Sequence, residues 1–472
     1  MKFIYKIALA AGLALSSFSC DDQLELAPTD FIDYGKAYQS VEDVNLGLLG
    51  VYSALPKTTQ TSLNAYVADN AKMSPQGRNV GVVTYNWTYT SEDLGAWSAY
   101  YVAINRINLV LAGIESVKVN LDAESAEAEE LSLYEAEAYG LRAFAHFSLF
   151  QSFSESYTDN DALAVPYMRE SIISMPVRNT VSEVYELLSL DLDESAKLMD
   201  AVALSNEKSR FNRVAIDALR ARISLYKEDY AAAIQYSSAA LNEVSIASGQ
   251  AYDDMWTDLE DDSEVIFKYD IVSTDGTRVG GLFQDAGSND VQFYPTFDLI
   301  NAYDANIFLD KTQDVRYNTV IMNDATDPVQ SSIIGKFRGT TALPFLADVK
   351  VFRASEMLLI RAEAYAKSNS TSEAWDDVKE LLTARITGYA GEDTGRSILD
   401  EIALQRRLEL AYEGHRFYDL RRTGEAIIRT DVTLPGTTPT QLAAGDHRFV
   451  LPIPQSELFA NDNMVQNPGY VQ

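Results

Sequence analysis

The chain is short of cysteine, histidine and positive charge, and each shortage removes a class of function. Cys20 is the single cysteine in 472 residues. One thiol cannot close an intramolecular disulfide or supply the paired thiolates of a structural zinc site. Of the 3 histidines, His146 and His415 fall in segments with helical periodicity, so general-base chemistry would rest on carboxylates. Lysine and arginine number 38 against 69 aspartates and glutamates, a formal charge of -31. So acidic a chain cannot neutralise a row of phosphates, which excludes nucleic acid, and it disfavours anionic lipid. Beyond the first twenty residues no apolar run is long enough to span a bilayer. A phosphate loop, a dinucleotide fingerprint, a His-Glu-x-x-His zinc motif and a Gly-x-Ser-x-Gly elbow are all missing. No catalytic residue, cofactor or metal site is therefore expected. Two carboxylates suffice for a glycosidase, and a surface glycosidase stays open as an alternative.

What is present begins at the N-terminus. Lys2 and Lys6 precede an apolar stretch from Ile7 to Leu15, then Ser16-Ser17-Phe18-Ser19 leads into Cys20. This reads as a signal peptide over 1–19, cleaved before a cysteine that carries lipid. An unpaired thiol in an exported chain is thereby explained, and acyl chains at about 0.8 kcal/mol per buried CH2 hold a soluble body on a membrane face. Simple secretion is the competing reading.

Helical periodicity dominates the body. Tyr134, Ala138, Leu141, Ala145 and Leu149 share one stripe. An aliphatic-Arg-Ala step recurs at Leu141-Arg142-Ala143, Leu219-Arg220-Ala221 and Ile360-Arg361-Ala362. Around the last two, Ala221, Ala233 and Ala240, and Ala362, Tyr365 and Ala374, keep the small-residue spacing of a tetratricopeptide repeat. The copy at Ala143 keeps only its first helix. The expected fold is mostly α: a tetratricopeptide-like scaffold over roughly 38–64, 95–250 and 345–428 in one domain, 20–472, with long insertions at roughly 65–94 and 253–344 and a few short strands. Val265 to Ile271, with Val265, Phe267, Tyr269 and Ile271 alternating, is the clearest strand.

The strongest motif runs from Leu404 to Arg422, LQRRLELAYEGHRFYDLRR. It reads as one helix with Leu404, Leu408 and Ala411 buried, and Glu413–Arg416 and Asp419–Arg422 paired at spacing three; Gly414 inside it costs about 1 kcal/mol relative to Ala, which points to a close backbone contact or a kink. Glu409, Glu413, His415 and Asp419 share no single face, and the surplus of arginine points to a structural ion network. A cluster at Asp253, Asp254, Asp258, Glu260, Asp261 and Asp262 lacks the EF-hand order and reads as a solvated loop.

Taken with its neighbours, this motif resembles the RagB/SusD family of outer-membrane nutrient-binding lipoproteins. Similar pieces are Arg142 to Phe147, Val351 to Ala364, Gln405 to Arg422, Leu451-Pro452-Ile453-Pro454 and Gln466 to Tyr470, in order along nearly the whole chain. Cys20-Asp21-Asp22 resembles the family's mature start. The resemblance implies a scaffold that docks on a SusC-like TonB-dependent transporter barrel at the extracellular face of the outer membrane. It implies capture of a glycan, or in some members a peptide, for delivery inward. Ligand residues do not carry over by motif, so they are read from the insertions. Arg78, Asn79, Trp87 and Tyr89, and Phe293 and Tyr294, combine aromatic faces with polar groups suited to a sugar. Each ring has a competing reading: Trp87 as core, Phe293 and Tyr294 as the approach to a helix at Pro295-Thr296. Trp97 is expected to pack at a helix start.

Overall fold

A computed structural model describes residues 37–471, apart from 76, 78–79, 202–206, 258–261, 276–277, 286–289, 307–309, 324–326, 328, 393 and 433–437. Helix α1 (Val41–Ala54) opens with a reciprocal cap: the Ser40 hydroxyl accepts from Asp43 N–H, and the Asp43 carboxylate accepts from Ser40 N–H. Such a cap contributes about 1 kcal/mol. After it, α2 (Thr59–Val67) and the single turn α3 (Val82–Tyr85) flank strand β1 (Ala71–Met73).

The remaining scaffold helices stack in chain order. Helix α1 packs on α4 (Trp97–Lys118), α4 on α5 (Ala126–Phe153), α5 on α6 (Val181–Asp200), α6 on α7 (Arg213–Tyr226) and α7 on α8 (Tyr230–Glu243). The chain then leaves the stack. It forms α9 (Gln250–Thr257), β2 (Val265–Tyr269), β3 (Phe293–Pro295), α10 (Phe297–Asn306), α11 (Val315–Val320), β4 (Ile321–Asn323), β5 (Ser332–Ile334) and β6 (Val349–Arg353). It returns as α12 (Ala354–Lys367), which packs directly on α8 as though nothing had intervened. Helix α13 (Thr371–Arg385) closes a hairpin with α12, and α14 (Ile398–Glu409) packs on both. The last elements are α15 (Arg416–Thr423), the small β7 (Ile427–Ile428) and β8 (Gln441–Leu442) pair, and α16 (Gln455–Ala460).

The repeated arginine step now has a physical meaning. Arg142 donates Nε and Nη2 to Asp191 of α6 at 2.7 and 2.6 Å, and Nη1 to Asn108 of α4 at 2.9 Å. Arg361 of α12 grips Asp377 of α13 at 2.9 and 2.7 Å, and Arg220 of α7 pairs with Asp193 of α6. In each copy the arginine clamps an aspartate on a neighbouring helix. Ala221, Ala233, Ala240, Ala362 and Ala374 are all buried at helix contacts, where a larger side chain would hold the backbones apart.

Several expectations need correction. The copy at Ala143 does regain a partner, α6, after the loop 154–180. Helix α5 is buried well beyond its expected stripe, with Arg142 and His146 enclosed as well. Leu404 to Arg422 is two helices, since α14 ends at Glu409 and α15 starts at Arg416. Tyr412 at φ 66 and Gly414 at φ 93 break the run. A Cβ on Gly414 would come within 3.1 Å of the Gln60 backbone, so the turn needs glycine for both its φ and its close approach. Arg416 accordingly pairs with Asp69 at 2.8 Å rather than with Glu413, whereas Asp419 does pair with Arg422. Strand β2 stops at Tyr269 and pairs antiparallel with β6, and Ile266 is as buried as its neighbours.

Candidate functional site

The two insertions meet. Strands β1 and β3 pair antiparallel, with Ala71 opposite Pro295, Lys72 opposite Tyr294 and Met73 opposite Phe293. This ladder places the segment near Trp87 beside the one near Phe293, two regions that the sequence keeps far apart.

The aromatics read as ligand platforms turn out to be walls. Trp87 is buried, donates Nε1–H to Val67 O at 2.9 Å, and lies under the Arg429 guanidinium, 4.1 Å from its ring centre. Tyr89 is buried and donates to Arg448 O at 2.5 Å. Phe293 stacks on Tyr66 with centroids 4.6 Å apart. Tyr294 packs with Val291, Ile333 and Met322, and its hydroxyl donates to Asp327 at 2.7 Å. Protein occupies the faces of all four rings, so none offers a stacking surface. Arg429 accounts for much of this, donating to the carbonyls of Tyr66, Val67, Ala68 and Tyr85 at 2.6–3.0 Å and folding the first insertion around itself. Arg78, Asn79 and Cys20 lie outside the described residues. Trp97 is buried at the start of α4, as expected.

A different ring is open. Phe297, the first residue of α10, is 49% exposed, and Lys72 Nζ lies 4.0 Å from its ring centre. Lys72 also pairs with Asp431 at 2.8 Å, and the same carboxylate oxygen accepts from Phe297 N–H at 3.1 Å. Nearby Asn70 is buried; its Oδ1 accepts from Arg407 Nε at 2.8 Å, while its Nδ2 has no partner among the described residues. Asp431 Oδ1 is likewise without one. An exposed aromatic ring is thus bordered by a cation, while the two unpartnered atoms are themselves shut away from solvent. The sequence reading passed over Phe297 because it follows Pro295-Thr296 and reads as the interior of a helix start. Thr296 is indeed the buried anchor there, donating to Asp69 O at 3.0 Å, which leaves the next side chain outside.

On the other side of β3 lies a cavity of about 720 Å³, lined by Gln284, Met322, Asn323, Ile333, Arg338 and Phe345 among others. Tyr294 forms its hidden support through Met322 and Ile333. The acidic cluster, expected to be a solvated loop, starts instead in helix: Asp253 and Asp254 lie in α9, Asp253 pairs with Arg338 at 2.7 Å and Asp262 with Lys268 at 2.9 Å, and Asp258, Glu260 and Asp261 lie outside the described residues.

The carboxylates of the strongest motif are all engaged. Glu409 accepts from Arg353 at 2.9 Å and from Arg385 at 2.9 and 3.0 Å; Glu413 accepts from Lys336 at 2.6 Å and Arg353 at 2.7 Å. Burial alone would raise the Glu409 pKa, but Arg385 and Arg353 hold it well below the usual carboxylate range. Burial lowers His415 to about 4, leaving a neutral ring. Groups so saturated with partners serve architecture, since a general acid or base needs a free proton position facing substrate.

Family comparisons agree with this architecture. Residues 346–470 match the SusD family model, and residues 22–225 match a model described as starch-binding and associating with the outer membrane. The chain belongs to the SusD/RagB family. A SusD-like protein of Formosa agariphila, P38, is 25% identical over 96% of this chain and 96% of its own length. A solved SusD superfamily protein from Bacteroides thetaiotaomicron superposes with a TM-score of 0.79 at 24% identity, covering 91% of this chain and 100% of that one. A protein described as a laminarin-binding SusD-like protein superposes at 0.68 with 22% identity, covering 92% and 100%. These superpositions establish the SusD fold for the mostly helical chain.

Proposed function

We propose that this SusD/RagB protein is a surface lipoprotein of the outer membrane, anchored through Cys20. It captures an oligosaccharide or polysaccharide without chemistry and delivers it to a TonB-dependent transporter barrel. The observation that carries the reading is the open Phe297 ring over the Lys72–Asp431 pair. A sugar ring stacks its C–H face on an exposed aromatic, and Phe297 offers one. Further support comes from the starch-binding description of the family model and the laminarin-binding structural relative. Full ion pairing of Glu409, Glu413 and Asp419 supports binding over hydrolysis.

Calorimetric titration of the purified protein against a panel of glycans and peptides tests the ligand class. Heat with glycans alone, and no new reducing ends after prolonged incubation, is the expected outcome; saturable binding of peptides alone, or release of product, contradicts it. Labelled palmitate incorporated by the wild type and lost in Cys20→Ser tests the anchor.

A further inference from the structure

The surplus of arginine in the strongest motif is not all spent inside the protein. Between α12, α14 and α15 lies a cavity of about 230 Å³ that Arg406, Arg407, Arg416 and Arg422 line together. Two of these are balanced. Arg422 grips Glu363 at 2.5 and 2.8 Å, and Asp419 accepts from Arg422 at 2.8 Å and from Arg406 at 3.0 Å, so two cations meet two carboxylates. The other two are not. Arg416 donates Nε and Nη2 to Asp69, both at 2.8 Å, while Arg407 approaches the same carboxylate only to 3.8 Å and gives its Nε to Asn70 Oδ1 at 2.8 Å. One aspartate serves two guanidiniums. Donors are left over as well: neither Arg407 Nη1 nor Arg416 Nη1 has a partner among the described residues, and the two side chains are 17% and 19% exposed. Arg406 Nη1 is buried with no partner, a costly state for a donor. The electrostatics agree. Burial lowers the Arg407 pKa, and Arg416 lowers it further, against the opposing pull of Asp69 and Asp298. Of the other charged groups in the lining, Asp400 and Glu425 are exposed, where water screens them, and accept from the Ser397 and Thr423 hydroxyls; Lys367 adds a further cation.

We infer that this cavity is a binding site for a small oxyanion, seated by the free Nη1 groups of Arg407 and Arg416. Guanidinium N–H groups match the oxygens of a carboxylate or a sulfate, and both are charge-assisted donors. On a chain of formal charge -31 the general field repels anions, so capture depends on this local excess of cation. Leu399, Ile402 and Ala403 make part of the lining apolar, which suits an acid on a carbon frame, such as a uronic sugar. The volume is below the roughly 300–1,000 Å³ of drug-sized sites, so it takes one acidic residue rather than a chain of them. The inference stands apart from the glycan reading above, since it needs neither the Phe297 ring nor a transporter.

Calorimetric titration of the wild type at fixed ionic strength, against glucuronate, inorganic sulfate and glucose, is the test. The inference expects saturable binding of at least one of the two anions, and binding at least tenfold weaker, or none, for glucose. Glucuronate tighter than sulfate assigns the site to an acidic sugar; sulfate as tight or tighter assigns it to a free inorganic anion. Arg407→Gln, with folding checked by its melting temperature, should weaken the anion at least tenfold. Crystals of the wild type soaked in glucuronate, and separately in selenate as a sulfate isostere, give a readout that does not depend on the variant. One of the two should stand within hydrogen-bond reach of Arg407 and Arg416. No saturable binding of either anion, glucose bound as well as glucuronate, equal binding by a folded Arg407→Gln protein, or neither soaked anion in the cavity overturns it.

Discussion

Lys72 and Asp431 stand 359 residues apart in sequence and meet in a 2.8 Å ion pair beneath the open face of Phe297. The pair joins the first insertion to the segment that follows the last scaffold helices. It lies against the Phe297 ring, which solvent reaches, and its carboxylate also holds the Phe297 N–H. Asp431→Asn keeps an oxygen for Phe297 N–H but removes the charge that holds Lys72. Glycan affinity should fall about tenfold, or ~1.4 kcal/mol, with the melting temperature nearly unchanged. Titration of both proteins at one temperature checks it.

Trp87 is a structural residue on this account. Trp87→Ala would remove the hydrogen bond to Val67 O and the face on which Arg429 lies, at a cost of ~3–5 kcal/mol in unfolding free energy. Urea denaturation measures that cost. Wild-type stability combined with lost glycan binding would return Trp87 to the ligand site.

Arg353 joins Glu264, Glu409 and Glu413 inside the protein, bridging the second insertion to the turn after α14. Arg353→Met would leave those carboxylates facing one cation fewer in a buried place. Removal of one partner from a buried network costs ~3–5 kcal/mol. Chemical denaturation should show the loss, and Lys197→Met, on an exposed surface pair, should show almost none.

Stability should fall as the medium is acidified. His146 donates Nδ1–H to Arg142 O at 2.9 Å and accepts Met168 N–H on Nε2 at 2.9 Å, so both ring nitrogens are spent on the neutral form. Its ring stacks on Tyr167 at 3.7 Å, with Asp191 and Arg142 near. Burial lowers His146 to about 3 and His415 to about 4. The unfolded chain takes up these protons near 6.5 and the folded chain does not, so stability drops from about pH 6.5 downward. Asp69, held low by Arg416 and Arg407 against the opposing effect of burial, adds a loss below its ordinary carboxylate value. Burial raises Glu137 to about 7, so its earlier protonation in the folded chain offsets part of this loss; unfolding free energies between pH 7 and 4 should show the remaining slope, and His146→Gln should make it shallower.

The scaffold was legible in the sequence because its signals are local. Period 3.6, the alanines of the α7–α8 and α12–α13 hairpins and the recurring arginine step each lie within one or two helices. The break between α14 and α15 was legible in part: Gly414 in a helix-favouring string points to a close backbone contact or a kink, and the contact is with the Gln60 backbone, but that the helix ends there does not show in the string itself. The site was harder still. Trp87, Tyr89, Phe293 and Tyr294 have the composition of a sugar platform, yet which face of a ring meets solvent is decided by Arg429, Tyr66 and Asp327, all distant in sequence. Phe297 escaped notice for the converse reason: an apolar residue at a helix start is ordinarily core, and only the burial of Thr296 turns it outward.

Binding of a panel-selected glycan to Phe297→Ala, compared with the wild type, tests the proposed site most directly. The ring touches solvent, so the variant should fold and melt as the wild type does, and its affinity should fall at least tenfold, or ~1.4 kcal/mol. Undiminished affinity in a folded Phe297→Ala protein would contradict the account and move the ligand elsewhere on the molecule.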